Sequence, residues 1–283
     1  MSRVSLRPGW GRLAGVFLLA AAAGACAGSP TAPSATGSVL SRGEAPQGAA
    51  PVPGDSLGTV NALGATRFLA FGDSITFGTP SSFDEAFFFD PIPGTPYPSQ
   101  LDNLLEASFP SQDFTVGNFG VPGETARDAV GTGRFLQAMA SQRPQGVLLL
   151  EGINDLNGGR SVTDVVSSLQ QMVEIARLYN STVFIGTMFQ TCRSENPNDG
   201  RVRENSAGSI TAFNNAITSM AAGRQNVYVV NLYAAFGNNC GPMGGVNLLG
   251  NDGLHPSVAG YGAMAQAFGI ALRDKFAVRG SFQ

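Results

Sequence analysis

The chain reads as an α/β protein, an α/β/α sandwich built on a five-stranded parallel sheet. Three observations predict this. From about Thr66 onward, short apolar runs alternate with longer stretches of helical periodicity. Runs such as Val147-Leu148-Leu149-Leu150 are unbroken in their hydrophobicity, as expected of parallel strands covered on both faces. There are five such runs, the number that suits a flavodoxin-like doubly wound order.

Each element has its own signal. Residues 67–71 are the first strand, an apolar run that ends abruptly at Gly72-Asp73-Ser74. Tyr97 to Ala107 is a helix, with Leu101, Leu104 and Leu105 at helical spacing. Phe114-Thr115-Val116 is a short second strand. Thr125 to Ser141 is helical, with a break around Gly131 and Gly133. Residues 147–150 form the third strand, and Ser161 to Leu178 a helix with a serine at its start. Thr182 to Thr187 is the fourth strand; Ser209 to Ala222 is a helix ended by Gly223. Val227 to Val230 is the fifth strand, and Ser257 to Lys275 the closing helix.

Composition narrows the class of function. The 283 residues are 43% hydrophobic and 13% charged, enough for one domain with a sizeable core. The formal net charge is -3, and three of the 17 basic residues (Arg3, Arg7, Arg12) fall before residue 26, so the remainder is more acidic still. Nucleic acid is therefore excluded as a partner, since phosphate binding needs a basic face.

The first 25 residues read as an export signal: three arginines, an apolar segment from Leu13 to Ala23, then small residues. Small residues directly before Cys26 resemble a bacterial lipoprotein signal, in which the Cys becomes the acylated first residue. Ala23 stands where that family usually has Leu. The other reading is ordinary secretory cleavage near this point, so the expected location is the cell envelope as a lipoprotein, or secretion. Residues 26–60 are rich in Ser, Pro, Thr, Ala and Gly, a linker composition unable to bury a core, which leaves 61–283 as the folded domain. Lipidation of Cys26 would provide the only membrane association and leave Cys192 and Cys240 as a pair in an oxidising compartment. A disulfide between them is expected, with two separate buried thiols as the alternative.

In open α/β sheets ligands bind outside the carboxyl ends of the strands. Four stretches there carry chemistry. Ser74 follows strand one, Asn118 to Gly123 follows strand two, Glu151 to Asp155 follows strand three, and Asp252 to Pro256 lies beyond strand five. A serine hydroxyl is a weak nucleophile without a base to take its proton. His255, the single histidine, suits that role near neutral pH. Asp252, three residues earlier, can reach the ring on a tight turn and fix its tautomer. Negative charge that develops on an attacked carbonyl oxygen needs donors. The candidates are the backbone N–H groups of Ser74 and Gly123 and the side-chain amide of Asn154.

Together, Gly72-Asp73-Ser74-Ile75, Gly123, Gly152-x-Asn154-Asp155 and Asp252-x-x-His255-Pro256 resemble the four sequence blocks of the SGNH, or GDSL-type, hydrolases, in the same order. The resemblance covers about residues 66 to 275. It implies the SGNH hydrolase fold, hydrolysis of acyl esters and no cofactor. It also implies Ser74 as nucleophile, His255 as base, Asp252 as its orienting partner, and Ser74, Gly123 and Asn154 as the oxyanion hole. Ile75 replaces the Leu of the family name. In this reading Asp73 shapes the turn and Asp155 organises the Asn154 loop.

The remaining polar and aromatic stretches say less. Phe83, Phe87, Phe88 and Phe89 either wall an acyl pocket or pack their own loop onto the core. Glu195, Asp199 and Glu204 lack calcium-loop spacing. One histidine gives a zinc site little to use, so no metal is expected. Gly131-x-Gly133 lacks the strand and third glycine of a dinucleotide loop. The expected activity is an exported serine esterase on short-chain or acetyl esters of small molecules, glycans or lipids. An acyltransferase using the same acyl-enzyme and a non-catalytic surface binding module are the alternatives.

Overall fold

Residue Gly72 shows how tightly the sheet is built at its functional edge. A β-carbon added there would lie 2.1 Å from Thr76 Oγ1 and 2.3 Å from the Leu150 carbonyl oxygen, so the first strand can end only in glycine. The computed structural model describes residues 60–79, 96–191, 207–237, 248–250 and 252–278. The leader at 1–25, almost all of the 26–60 linker, Cys26, Cys192, Cys240 and the Phe83–Phe89 stretch lie outside the described residues, as do Glu195, Asp199 and Glu204.

Five parallel strands form one sheet: β1 (Arg67–Gly72), β2 (Thr115–Gly120), β3 (Gly146–Leu150), β4 (Thr182–Gly186) and β5 (Val227–Val230), in the order β2-β1-β3-β4-β5. That is the flavodoxin-like order expected from the sequence. The inner strands β1, β3 and β4 are buried almost throughout, which accounts for their unbroken apolar runs.

The edge strand β2 differs from expectation. It runs from Thr115 through Gly120, in register with β1 from Arg67↔Thr115 to Gly72↔Gly120. Asn118 to Gly120, read from the sequence as loop, are therefore strand. This strand has no fully buried residue, and its Gly and Asn are poor strand formers, so no apolar run marks it. Pairing with β1 holds it extended.

The helices are α1 (Ser74–Phe77), α2 (Tyr97–Ser108), α3 (Ala126–Gly131), α4 (Arg134–Gln142), α5 (Ile153–Asn157), α6 (Val162–Leu178), α7 (Ala207–Ala221), α8 (Leu232–Phe236) and α9 (Val258–Phe276). Their main contacts fall into two groups. α2 packs on α9, where Tyr97 and Phe268 stack with centroids 5.2 Å apart, and α8 packs on α9 as well. α6 packs on α3, α4 and α7. Right-handed crossovers in this strand order place these groups on opposite faces of the sheet. The break expected around Gly131 and Gly133 separates α3 from α4. The one-turn helices α1, α5 and α8 have no periodicity long enough to read; each starts just beyond a strand end, where side-chain caps or packing hold it. Among the described residues, no helix is long and apolar enough to cross a membrane.

Candidate active site

Ser74 is the first residue of α1, directly after β1. Asp73 caps this helix: its Oδ1 accepts the Ile75 N–H at 2.9 Å. The first N–H groups of a helix have no intrahelical acceptor, so the Ser74 amide faces outward from the turn as a donor. Ser74 as a whole is 8% exposed.

His255 comes from the far end of the chain, on the loop before α9. An antiparallel bridge between Leu249 and Pro256 holds that loop, with Gly250 N–H donating to the His255 carbonyl at 2.8 Å. Asp252 folds the turn on itself. Its Oδ1 accepts the N–H groups of Leu254 at 3.0 Å and His255 at 2.9 Å. Its Oδ2 lies 2.5 Å from His255 Nδ1, closer than an ordinary N–H···O hydrogen bond. The opposite ring nitrogen, Nε2, lies 2.9 Å from Ser74 Oγ. The three side chains thus form one continuous relay, spanning 181 residues of sequence between serine and histidine. Burial works against ionisation of Asp252, but the His255 ring and the two amides outweigh it and hold the carboxyl below its ordinary value.

Gly123 sits in the loop after β2 with φ of 79°, a conformation that favours glycine, and a β-carbon there would meet nothing within 4 Å. Backbone conformation, not crowding by the fold, requires glycine here. Asn154 lies in α5, after β3. Its Nδ2 donates to the Glu124 carbonyl at 2.8 Å and reaches Asp73 Oδ2 only at 3.5 Å. One amide hydrogen is thus anchored, while the second has only a long contact to give up to a reacting oxygen. Asp155 ties the two loops together: Oδ2 accepts the Ala126 N–H at 2.7 Å and Oδ1 pairs with Arg160 at 3.0 Å.

Ser74, His255 and Asp252 are thus joined by contacts between their side chains, and Asn154 is tied to Glu124, next to Gly123, and to Asp73, next to Ser74. Sequence reasoning missed a charged layer just behind them. Glu124 pairs with Arg134, whose Nε donates to Oε1 at 2.6 Å and whose Nη2 contacts Oε2. The Arg134 guanidinium lies 3.8 Å over the Phe71 ring and donates to the Phe119 carbonyl at 2.9 Å. Glu151, at the end of β3, is 2% exposed. A carboxylate ending an apolar strand was the available signal for Glu151; nothing in the sequence marks Arg134.

Asp73, beside this layer, makes stability depend on pH. Complete burial, with smaller pushes from Glu124 and Asp155, raises Asp73 to about 7 against the opposing pull of the Ile75 amide and His255. The ordinary value is 3.8, so between these limits the folded state holds a proton that the unfolded chain has lost. Stability from the neutral form is complete below the lower value and is lost as pH rises through the upper one. The thermal midpoint is expected to fall from about pH 5 to about pH 8, with a smaller fall in Asp73→Asn. A midpoint that climbs over this range, with the same slope in both proteins, would contradict the assignment.

Comparison with known proteins agrees with this architecture. The GDSL-like lipase/acylhydrolase family matches residues 70–263. Among solved structures, a carbohydrate acetylesterase from Sinorhizobium meliloti superposes with a TM-score of 0.61 at 15% identity, over 75% of this chain and 100% of that one. An aryl esterase from M. smegmatis gives 0.60 at 18% identity, over 74% and 99%. An acetyl xylan esterase from Geobacillus stearothermophilus gives 0.55 at 23% identity, over 77% and 99%. A search of curated proteins found no match.

Proposed function

The chain belongs to the GDSL-like lipase/acylhydrolase family, and from that premise we propose that this hydrolase cleaves short-chain acyl esters, acetyl esters of carbohydrates foremost, with Ser74, His255 and Asp252 as its triad. The observation that carries the proposal is the relay itself, Ser74 Oγ at 2.9 Å from Nε2 and Asp252 Oδ2 at 2.5 Å from Nδ1 of one imidazole. Ser74 Oγ attacks the ester carbonyl while Nε2 takes its proton. The carbonyl oxygen becomes an anion, met by the N–H groups of Ser74 and Gly123 and by the Asn154 amide. Each such donor contributes roughly 2.7–4 kcal/mol to the transition state. The C–O bond to the leaving alcohol breaks, and the alcohol departs with the proton from Nε2. Water, deprotonated by the same nitrogen, then cleaves the acyl-enzyme and restores Ser74.

The acetyl preference draws on the activities of the carbohydrate acetylesterase and acetyl xylan esterase of like fold. Export completes the proposal: signal at 1–25, acylation at Cys26, linker at 26–60, a Cys192–Cys240 disulfide, and glycan or other esters met at the cell envelope. A panel of aryl esters of increasing acyl length, run beside acetylated xylan, tests the substrate. kcat/KM is expected to peak at acetyl and to fall with chain length, with acetate released from xylan. A peak at long acyl chains and no acetate from xylan would replace the glycan ester by a lipid ester.

A further inference from the structure

Glu151 is a buried carboxyl in this layer for which the proposed chemistry has no use. Neither of its oxygens meets a hydrogen-bond donor among the described residues, although both are fully buried. The side chain that faces it within hydrogen-bonding reach is the carboxylate of Glu124. Two carboxylates are both acceptors, so they bond only through a proton held by one of them. Arg134 donates to both carboxylate oxygens of Glu124, so a proton shared between the two acids belongs on Glu151.

We propose that Glu151 is a positioning residue: as the neutral acid it donates a hydrogen bond to Glu124 and so fixes both loop-borne oxyanion donors. Glu124 directly follows Gly123, its N–H closes the loop onto the Val121 carbonyl at 3.1 Å, and its own carbonyl anchors the Asn154 amide. Its side chain therefore controls where two of the three donors point. The charged groups facing Glu151 are Asp73, Glu124 and Arg134; Asp155 and His255 act in turn on Asp73. Burial first, then the charges of Asp73 and Glu124, keep the Glu151 proton in place well above the ordinary carboxyl range, with Arg134 opposing. Loss of that proton sets a second anion against Glu124 and pushes the loop away from the reacting carbon.

The inference rests on the esterase reading, and one experiment has readouts that separate the two. Glu151→Gln keeps a neutral donor of the same shape; Glu151→Leu keeps the volume and removes the donor. With an aryl acetate at neutral pH, the Leu variant is expected to lose kcat by about 10- to 100-fold at unchanged KM, because small misplacements of catalytic groups cost up to that much. The Gln variant is expected to stay near wild type and to lack the alkaline fall in kcat that wild type shows as the Glu151 proton leaves. The infrared difference spectrum, wild type minus Glu151→Gln at neutral pH, should carry the carbonyl stretch of a buried protonated carboxyl, whatever the enzyme turns over. A missing band overturns the proposal. So does wild-type kcat in the Leu variant, or a Gln variant as impaired as Leu. Should Leu fail to fold by circular dichroism, an unchanged alkaline limb in Gln overturns it alone. An inactive wild type that still shows the band removes the esterase reading and keeps the buried proton.

Discussion

Replacing Ser74 or His255 by Ala is expected to lower kcat for an aryl acetate by a factor on the order of 10⁶, with either substitution costing nearly as much as both together. The reason is geometric. The oxygen and the ring nitrogen lie 2.9 Å apart and share one proton, so removing either member disables the same step. The chain has a single histidine, so no other imidazole can substitute for it. The residual rate would come from the oxyanion donors and binding alone. Losses that multiply in the double variant would mean two independent contributions in place of one relay. Fold loss is checked by thermal unfolding: Ser74→Ala removes one hydroxyl at a slightly exposed position and should leave the midpoint within a few degrees.

Asp252→Asn is expected to reduce kcat by roughly 10⁴-fold while leaving the turn intact. Asparagine retains an oxygen to accept the Leu254 and His255 amides, so the loop that carries the imidazole can still form. Its second group, however, is now an NH₂ donor facing Nδ1. The ring must turn Nδ1 into an acceptor and place its proton on Nε2, where it points at Ser74 Oγ and can no longer take a proton from it. Because His255 is the only histidine, its ring nitrogen resonances report the tautomer without assignment ambiguity. The expected result is a proton on Nδ1 in wild type and on Nε2 in the variant. Full activity in Asp252→Asn with an unchanged tautomer would reduce Asp252 to a turn former.

Much of this was legible from residue order. The inner strands announced themselves because burial on both faces demands continuous apolar side chains, and Ser74 and Asn154 each follow one, while His255 stood out as the single histidine. What the sequence concealed has physical causes. β2 is an edge strand, half exposed and rich in Gly, held extended by its pairing with Arg67 to Gly72 rather than by its own preferences. Helices α1 and α5 are one turn long, too short for periodicity, and exist because Asp73 caps one and the strand end positions the other. The layer of Glu124, Arg134 and Glu151 joins residues 10 to 27 positions apart, two in loops after β2 and β3 and one at the start of α4; only the sheet topology brings them together.

A covalent serine probe tests the account most directly. A fluorophosphonate loses fluoride to an activated hydroxyl, so labelling of the folded chain reads nucleophile and base at once. Peptide mapping is expected to find one adduct per chain, on Ser74, with ester hydrolysis lost in proportion and labelling strongly reduced in His255→Ala. A folded, ester-cleaving protein that carries the adduct elsewhere, or none at Ser74, would contradict the relay on which the whole account rests.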